Sequence, residues 1–206
     1  MLSALSRDRV NKWLKKTPDL DDKVVEMSNE ATTYHDQITK LVNAIQKQAK
    51  DCGSEKHPFG KAANGIRNYK DGMVTKSLAG KYDKMAEAMD KLMEANAEFG
   101  RKISSGCLSK CLSFRDVDCR DVDQQMKQLA KVCKDLESNR KKAEKDQNKN
   151  YLVDASLESL KKLTEDSLIT LEKFNKASVV LLNATSSEYK KQLEAYNAEA
   201  AKIINF

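Results

Sequence analysis

Turn-forming residues are scarce in this chain, which has seven glycines and two prolines among 206 residues. A fold of many short strands needs a turn signal every ~8–12 residues, so an all-β architecture is excluded. Aromatic residues make up only 6%, which argues against a thick globular core. No stretch approaches the ~18 consecutive apolar residues of a membrane-spanning helix, and Arg7, Asp8 and Arg9 interrupt the start of the chain. The expectation is a soluble protein without a secretory signal.

Histidine and paired cysteine are also scarce. The five cysteines, at 52, 107, 111, 119 and 133, are odd in number and contain no CxxC pair. A disulfide framework is therefore not expected. Zinc requires four convergent ligands, and the two histidines, His35 and His57, are distant in sequence from the 107–119 cysteines, so no metal is expected either. Reduced thiols in a cytoplasmic protein are the plain reading. GxGxxG, GxxxxGK[ST] and HExxH motifs are missing, and acidic residues are spread along the chain, so neither a cofactor nor an enzyme activity is expected.

Charge is abundant: charged residues account for 33% of the chain, with a net charge of +6. The excess is localised. Residues 1–16 carry five Lys/Arg against one acid, and residues 127–149 carry eight against four, so each stretch is +4. Such localised basic charge points to a polyanionic surface. Nucleic acid is disfavoured, because single-strand readers interleave aromatics with their basic residues and 127–149 has none. No groove-reading motif is present either. An anionic phospholipid membrane is the remaining polyanion, with Lys127, Lys131 and Lys134 opening the basic stretch.

Apolar residues recur at helical spacing. Alternating steps of four and three from Leu20 give Val24, Met27, Ala31, Tyr34, Ile38, Leu41, Ile45, Gln48 and Cys52, a heptad seam with one polar position. Thr17 as N-cap, Pro18 in the first turn and Asp19, Asp21 and Asp22 near the dipole place a helix over about 18–52. Residues 53–77, with four glycines and Pro58, form a connection holding at most a short helix. The stepping resumes through Leu78, Tyr82, Met85, Met89, Leu92, Asn96, Phe99 and Ile103, and an apolar face continues to Leu129, Cys133 and Leu136. This predicts one long helix over 78–149, kinked near Gly106 or Ser113, with two separate helices as the alternative. Met85, Met89 and Met126 are read as core filler. After a turn at Asn148–Asn150, a last helix begins near Asp154 and carries Leu182 and Leu193 on its apolar face. Helices of about 50 residues reach ~75 Å, too long for a compact ball, so an elongated antiparallel bundle completed by a second chain is expected. Leu41, Ile45, Leu92, Phe99, Leu129, Leu182 and Leu193 represent its dimer and core seams.

Plotted on a helix, Met1, Leu2, Leu5, Val10, Trp13 and Leu14 share one broad sector, with Arg9, Lys12 and Lys16 intruding. Residues 1–16 thus form a basic amphipathic segment suited to shallow membrane insertion, with Arg7, Arg9, Lys12, Lys15 and Lys16 as its cations and Trp13 as its interfacial anchor. The plainer reading is that this segment extends the first helix or packs on the core. For 127–149, the plainer reading is a solvated helix face.

Trp13-Leu14-Lys15-Lys16-Thr17 leading into Asp19-Leu20-Asp21-Asp22, together with Leu136-Glu137-Ser138-Asn139-Arg140-Lys141-Lys142 within 121–149, resembles the BAR domain family of endophilin and amphiphysin type. The resemblance covers about 10–205. It implies an all-α homodimer: three long antiparallel heptad helices per chain forming an elongated, curved six-helix bundle over 17–206, preceded by the 1–16 segment. It further implies a membrane-binding tip of Arg140, Lys141, Lys142, Lys145 and Lys149 with Lys161 and Lys162, and a role in sensing or inducing curvature during trafficking or endocytosis. Asp146, Gln147 and Asn148 interrupt the basic run that endophilins continue, which weakens the tip or displaces it one turn earlier. The expected location is the cytoplasm, peripheral to a membrane, and a small GTPase or other trafficking protein is a further partner class that the resemblance allows. The alternative from the residues alone is a dimeric coiled-coil scaffold or adaptor that binds proteins without lipid contact.

Overall fold

The computed structural model describes residues 10, 14–17, 19–54, 57–72 and 76–205. All regular structure among them is helical: α1 (Asp22–Cys52), α2 (Pro58–Asp71), α3 (Lys76–Ile103), a π-helical segment (Ser104–Leu108), α4 (Ser109–Asp116), α5 (Asp118–Ala143), a 3₁₀ turn (Gln147–Lys149) and α6 (Asn150–Ile204). None of these helices is long and apolar enough to cross a membrane.

The helix starts have local causes. α1 begins four residues later than the sequence signals indicate. Thr17 closes a turn, its carbonyl accepting from the Leu20 N–H at 3.1 Å, and Pro18 lies outside the described residues. The cap is Asp21, whose Oδ1 accepts from the Lys23 N–H at 2.8 Å, satisfying one of the orphan donors of the first turn. α2 occupies the connection expected over 53–77 and is 14 residues long. It is capped by His57 Nδ1, which accepts from the Phe59 N–H at 3.4 Å, and Pro58 takes the first helical position.

The single helix expected over 78–149 is divided. Ser104–Leu108 forms the π segment, around the predicted Gly106 kink, where one extra residue is inserted in the helical ladder. A second interruption lies at Val117 (φ −109°, ψ −73°), although the Val117 N–H still donates to the Ser113 carbonyl at 3.0 Å and its own carbonyl accepts from Asp121 at 2.9 Å. α5 then ends at Ala143, and Asp146 caps the 3₁₀ turn by accepting from the Asn148 N–H at 3.1 Å. α6 starts at Asn150, not near Asp154.

Two compact units emerge. The first comprises the chain up to Lys40 and Leu112–Leu182. Within it α1, α4 and α5 each meet α6 through defined contacts. Asn175 on α6 donates to the Met27 carbonyl at 3.3 Å and to Glu30 at 2.9 Å. The ring of Phe114 on α4 packs against that of Phe174 at 5.5 Å between centroids. Asn139 on α5 donates to Ser156 Oγ at 2.9 Å. Leu129, Leu136, Leu160 and Leu171 belong to the apolar core.

The second unit comprises Leu41–Cys111 and Asn183–Phe206. α2 and α3 make an antiparallel hairpin, joined by Arg67–Asp90, by Lys70–Asp83 at 2.7 Å and by the Tyr69–Tyr82 ring contact. α1 approaches α3 where Gly100 lies against Ala49 and Cys52, and Asn96 Nδ2 donates to the Cys52 carbonyl at 3.3 Å. Phe99 packs against Tyr189 and Tyr196 of α6, at 5.9 and 5.4 Å.

The buried line of α1 differs from the sequence seam. Val24, Ala31, Ile38, Ile45 and Cys52 are buried as expected, but Ser28, His35 and Val42 replace Met27, Tyr34 and Leu41, which are half-buried. Of the other seam residues, Leu92, Phe99 and Leu129 are buried, whereas Leu182 and Leu193 are half-buried. Met126 is core and Met89 half-buried, but Leu78 and Met85, expected on the buried face of α3, are exposed. There the covered side of α3 instead presents Ala86 and Ala88. The five cysteines are free and buried, and burial raises the thiol pKa values of Cys52, Cys107 and Cys133.

Candidate functional site

α5 carries the basic stretch, and its helical phase sorts the cations. From Lys127, steps of four and three reach Lys131, Lys134, Ser138 and Lys141, and the same progression meets Lys145 in the turn after the helix. At 3.6 residues per turn these positions fall within a sector of about 80°, forming a line ~27 Å long. All of them are exposed. The opposite side of α5, made by Val122, Met126, Leu129, Cys133 and Leu136, is buried. Asp135 and Glu137 flank the line, and no acid falls within it between 127 and 145.

Several cations expected at the tip are already engaged. Arg140 pairs with Asp19 at 2.7 Å, tying the chain ahead of α1 to α5. Lys141 pairs with Glu137 at 2.7 Å; the shared hydrogen bond lowers the Glu137 pKa and raises that of Lys141, so both stay charged near neutrality. Lys142 donates to Asn139 Oδ1 at 3.3 Å, and Lys149 lies 3.5 Å from Asp146. Among the described residues no ion pair engages Lys127, Lys131, Lys134 or Lys145. The cations without an ion pair therefore run along α5 from Lys127 through Lys131 and Lys134 to Lys142 and Lys145, whereas Arg140, Lys141 and Lys149 are paired. Lys161 and Lys162 are exposed on α6, the helix that receives Asn139.

The spacing of 127, 131, 134 and 141 is present in the sequence, but a count of charges over 127–149 does not use phase. Lysine ammonium groups on flexible stems, standing on a convex helix, suit a surface of dispersed anions better than a single ligand held in a fork.

The N-terminal segment divides differently from its expected boundary. Arg7, Arg9, Lys12 and Trp13 lie outside the described residues, as do Met1, Leu2 and Leu5. Lys15 and Lys16 are exposed, but the adjacent Leu14 is only 1% exposed. Val10 is half-buried and lines a cavity of about 20 Å³ with Ser28, Thr32 and His35 of α1, Cys119 and Asp123 of α5, and Phe174 of α6. Packing on the first unit thus begins inside residues 1–16. A helical plot of the sequence puts Val10 and Leu14 on one face without indicating what covers it.

Comparison with known proteins finds no family model that matches this chain and no similar curated protein.

Proposed function

We propose that the chain binds anionic membranes as a peripheral, cytoplasmic homodimer of BAR type and senses or induces curvature without catalysis. The observation that supports this reading most is the lysine line of α5, opposite the buried face, in which Lys127, Lys131, Lys134 and Lys145 have no ion pair among the described residues and only Lys141 is paired, with Glu137. Near an anionic bilayer each unpaired cation contributes about 1 kcal/mol, so these four give several kcal/mol per chain. Two copies present the line twice, and avidity makes the combined attachment much tighter than either contact. Lys161, Lys162 and the cations of 1–16 extend the same charge, and a small GTPase or other trafficking protein is a further partner class within the BAR resemblance.

The test is co-sedimentation with phosphatidylserine-rich and neutral vesicles at low and high salt, comparing the wild type with Lys127→Gln/Lys131→Gln/Lys134→Gln. Binding that requires anionic lipid, weakens with salt and drops about tenfold or more in the variant is the expected result. A folded protein that ignores every vesicle overturns the reading.

A second reading, the protein-binding scaffold, draws on the second unit. α3 and the end of α6 leave two open grooves there, of about 320 and 600 Å³, lined by Ala95, Phe99 and Tyr196 and by Lys84, Ala88 and Ile203 respectively. Grooves between helices accept an amphipathic partner helix. The vesicle experiment separates the two readings, because a folded protein without any lipid binding favours the scaffold.

A further inference from the structure

The lysine line of α5 contains one uncharged position. Ser138 follows Lys134 by four residues and precedes Lys141 and Lys142 by three and four, so all three lysines are its neighbours on the helix surface. Ser138 is exposed, and among the described residues none hydrogen-bonds its hydroxyl. The next residue, Asn139, donates to Ser156 Oγ at 2.9 Å and to the Leu152 carbonyl at 3.4 Å. These bonds to α6 fix the phase of the turn, and Ser138, about 100° away around the helix, stays in solvent. α5 ends at Ala143, little more than one turn beyond, and helix ends open locally more readily than interiors.

We propose that Ser138 is a phosphoacceptor and that its phosphorylation switches off the α5 lysine line. This rests on the membrane reading above and assigns the regulation of the same site. The step is transfer of the γ-phosphoryl group of ATP by a serine/threonine protein kinase. A P–O bond forms to Ser138 Oγ as the bond to the β-phosphate oxygen breaks, the hydroxyl proton passes to the kinase's catalytic carboxylate, and ADP leaves. Arg140, Lys141 and Lys142 stand two to four places after the serine, so the kinase class is one that reads basic residues on the C-terminal side. The product carries about −1.5 to −2 charges near pH 7 and three acceptor oxygens. Within one turn of Lys134 and Lys142, the phosphate takes both as partners and sets a like charge against the lipid phosphates. Glu137 shows the same chemistry on a smaller scale, holding Lys141 at 2.7 Å. Because Ser138 lies on the face that meets the bilayer, kinase and membrane compete for it: the bound chain is protected, and the phosphorylated chain is kept in solution.

The experiment has two arms. In the first, full chains with genetically encoded phosphoserine at 138, or at 187 as a charge-matched control on an exposed position of α6, are co-sedimented with phosphatidylserine-rich vesicles beside the wild type and Ser138→Ala. Phosphoserine at 138 should weaken binding about tenfold or more and phosphoserine at 187 less than about threefold, while Ser138→Ala binds as the wild type does. In the second, the unmodified chain is incubated with the catalytic domain of protein kinase C and MgATP, free and on vesicles, and its phosphopeptides are mapped; Ser138 should be labelled in the free chain and protected in the bound one. A wild type that binds no vesicle defeats the membrane reading and the switch with it. A wild type that binds, beside a phosphoserine-138 chain that binds equally well, overturns the switch alone. An equal fall for both phosphorylated chains overturns it as well, since net charge rather than place then decides. So does a loss of binding accompanied by a loss of helical circular dichroism, which marks unfolding of α5. A chain that the kinase labels only elsewhere or nowhere overturns the acceptor assignment, and a Ser138 labelled as fast on vesicles as in solution overturns the competition.

Discussion

Three glycines in helices should respond with opposite signs to the same substitution. A Cβ added at Gly100 of α3 would stand 2.7 Å from the Cys52 Cβ and 3.1 Å from the Ala49 carbonyl oxygen. Neither atom is the end of a flexible side chain; both belong to the last turn of α1, so α1 and α3 must separate by roughly an ångström to reach ordinary contact. That movement also stretches the Asn96–Cys52 hydrogen bond, already 3.3 Å long. Overpacking of this kind costs about 1–3 kcal/mol, whereas replacing a mid-helix glycine by alanine returns about 1 kcal/mol through propensity. Gly100→Ala should therefore be net destabilising, by up to roughly 2 kcal/mol. At Gly65 of α2 and Gly80 of α3 an added Cβ meets nothing within 4 Å, so Ala there should stabilise by about 0.5–1 kcal/mol. Urea unfolding followed by circular dichroism at about 222 nm, the helix band, measures all three; the midpoint should fall for Gly100→Ala and rise for the other two. A Gly100→Ala protein as stable as Gly80→Ala would refute the close helix approach.

Three further outcomes follow from the packing. Phe99→Ala removes a buried ring held against Tyr189 and Tyr196 and should cost about 3–5 kcal/mol in the same urea assay; a loss under about 1 kcal/mol would mean the rings do not pack as described. Arg140→Gln breaks the partly exposed pair with Asp19 and should cost at most about 1 kcal/mol, with the difference shrinking in about 1 M salt; a larger, salt-independent loss would contradict a solvent-screened pair. Burial holds the Cys52, Cys107 and Cys133 thiols above their usual pKa near 9. The unfolded chain therefore releases these protons first, and the stability they contribute is full below about pH 9 and lost as pH rises through the folded values. Unfolding midpoints measured from about pH 7 to about pH 10.5 should decline at the alkaline end, and a Cys107→Ala variant should decline less steeply.

The lysine line and the seat of Val10 differ in how far they could be read without coordinates. Helical phase alone places Lys127, Lys131, Lys134 and Lys141 together once α5 is known to be an unbroken helix there, because side-chain direction follows position along the backbone. The engagement of Arg140 by Asp19 has no such signal: the two residues are far apart in the chain, and ion pairs of that kind depend on which helices become neighbours. The seat of Val10 is hidden for the same reason, its lining being drawn from three separated stretches.

The helical class, the basic stretches and the long apolar faces were determined by the sequence itself, since period and capping are local properties of the backbone and its side chains. The tertiary structure decided which part of each apolar sector is buried. On α1, Met27 and Tyr34 are the more apolar choices, yet Ser28 and His35 line the interior. A helix face wider than a two-position seam can be covered from more than one side, and the neighbours that cover it, here α5 and α6 in the first unit, select the phase through shape and hydrogen bonding that a one-dimensional pattern does not contain.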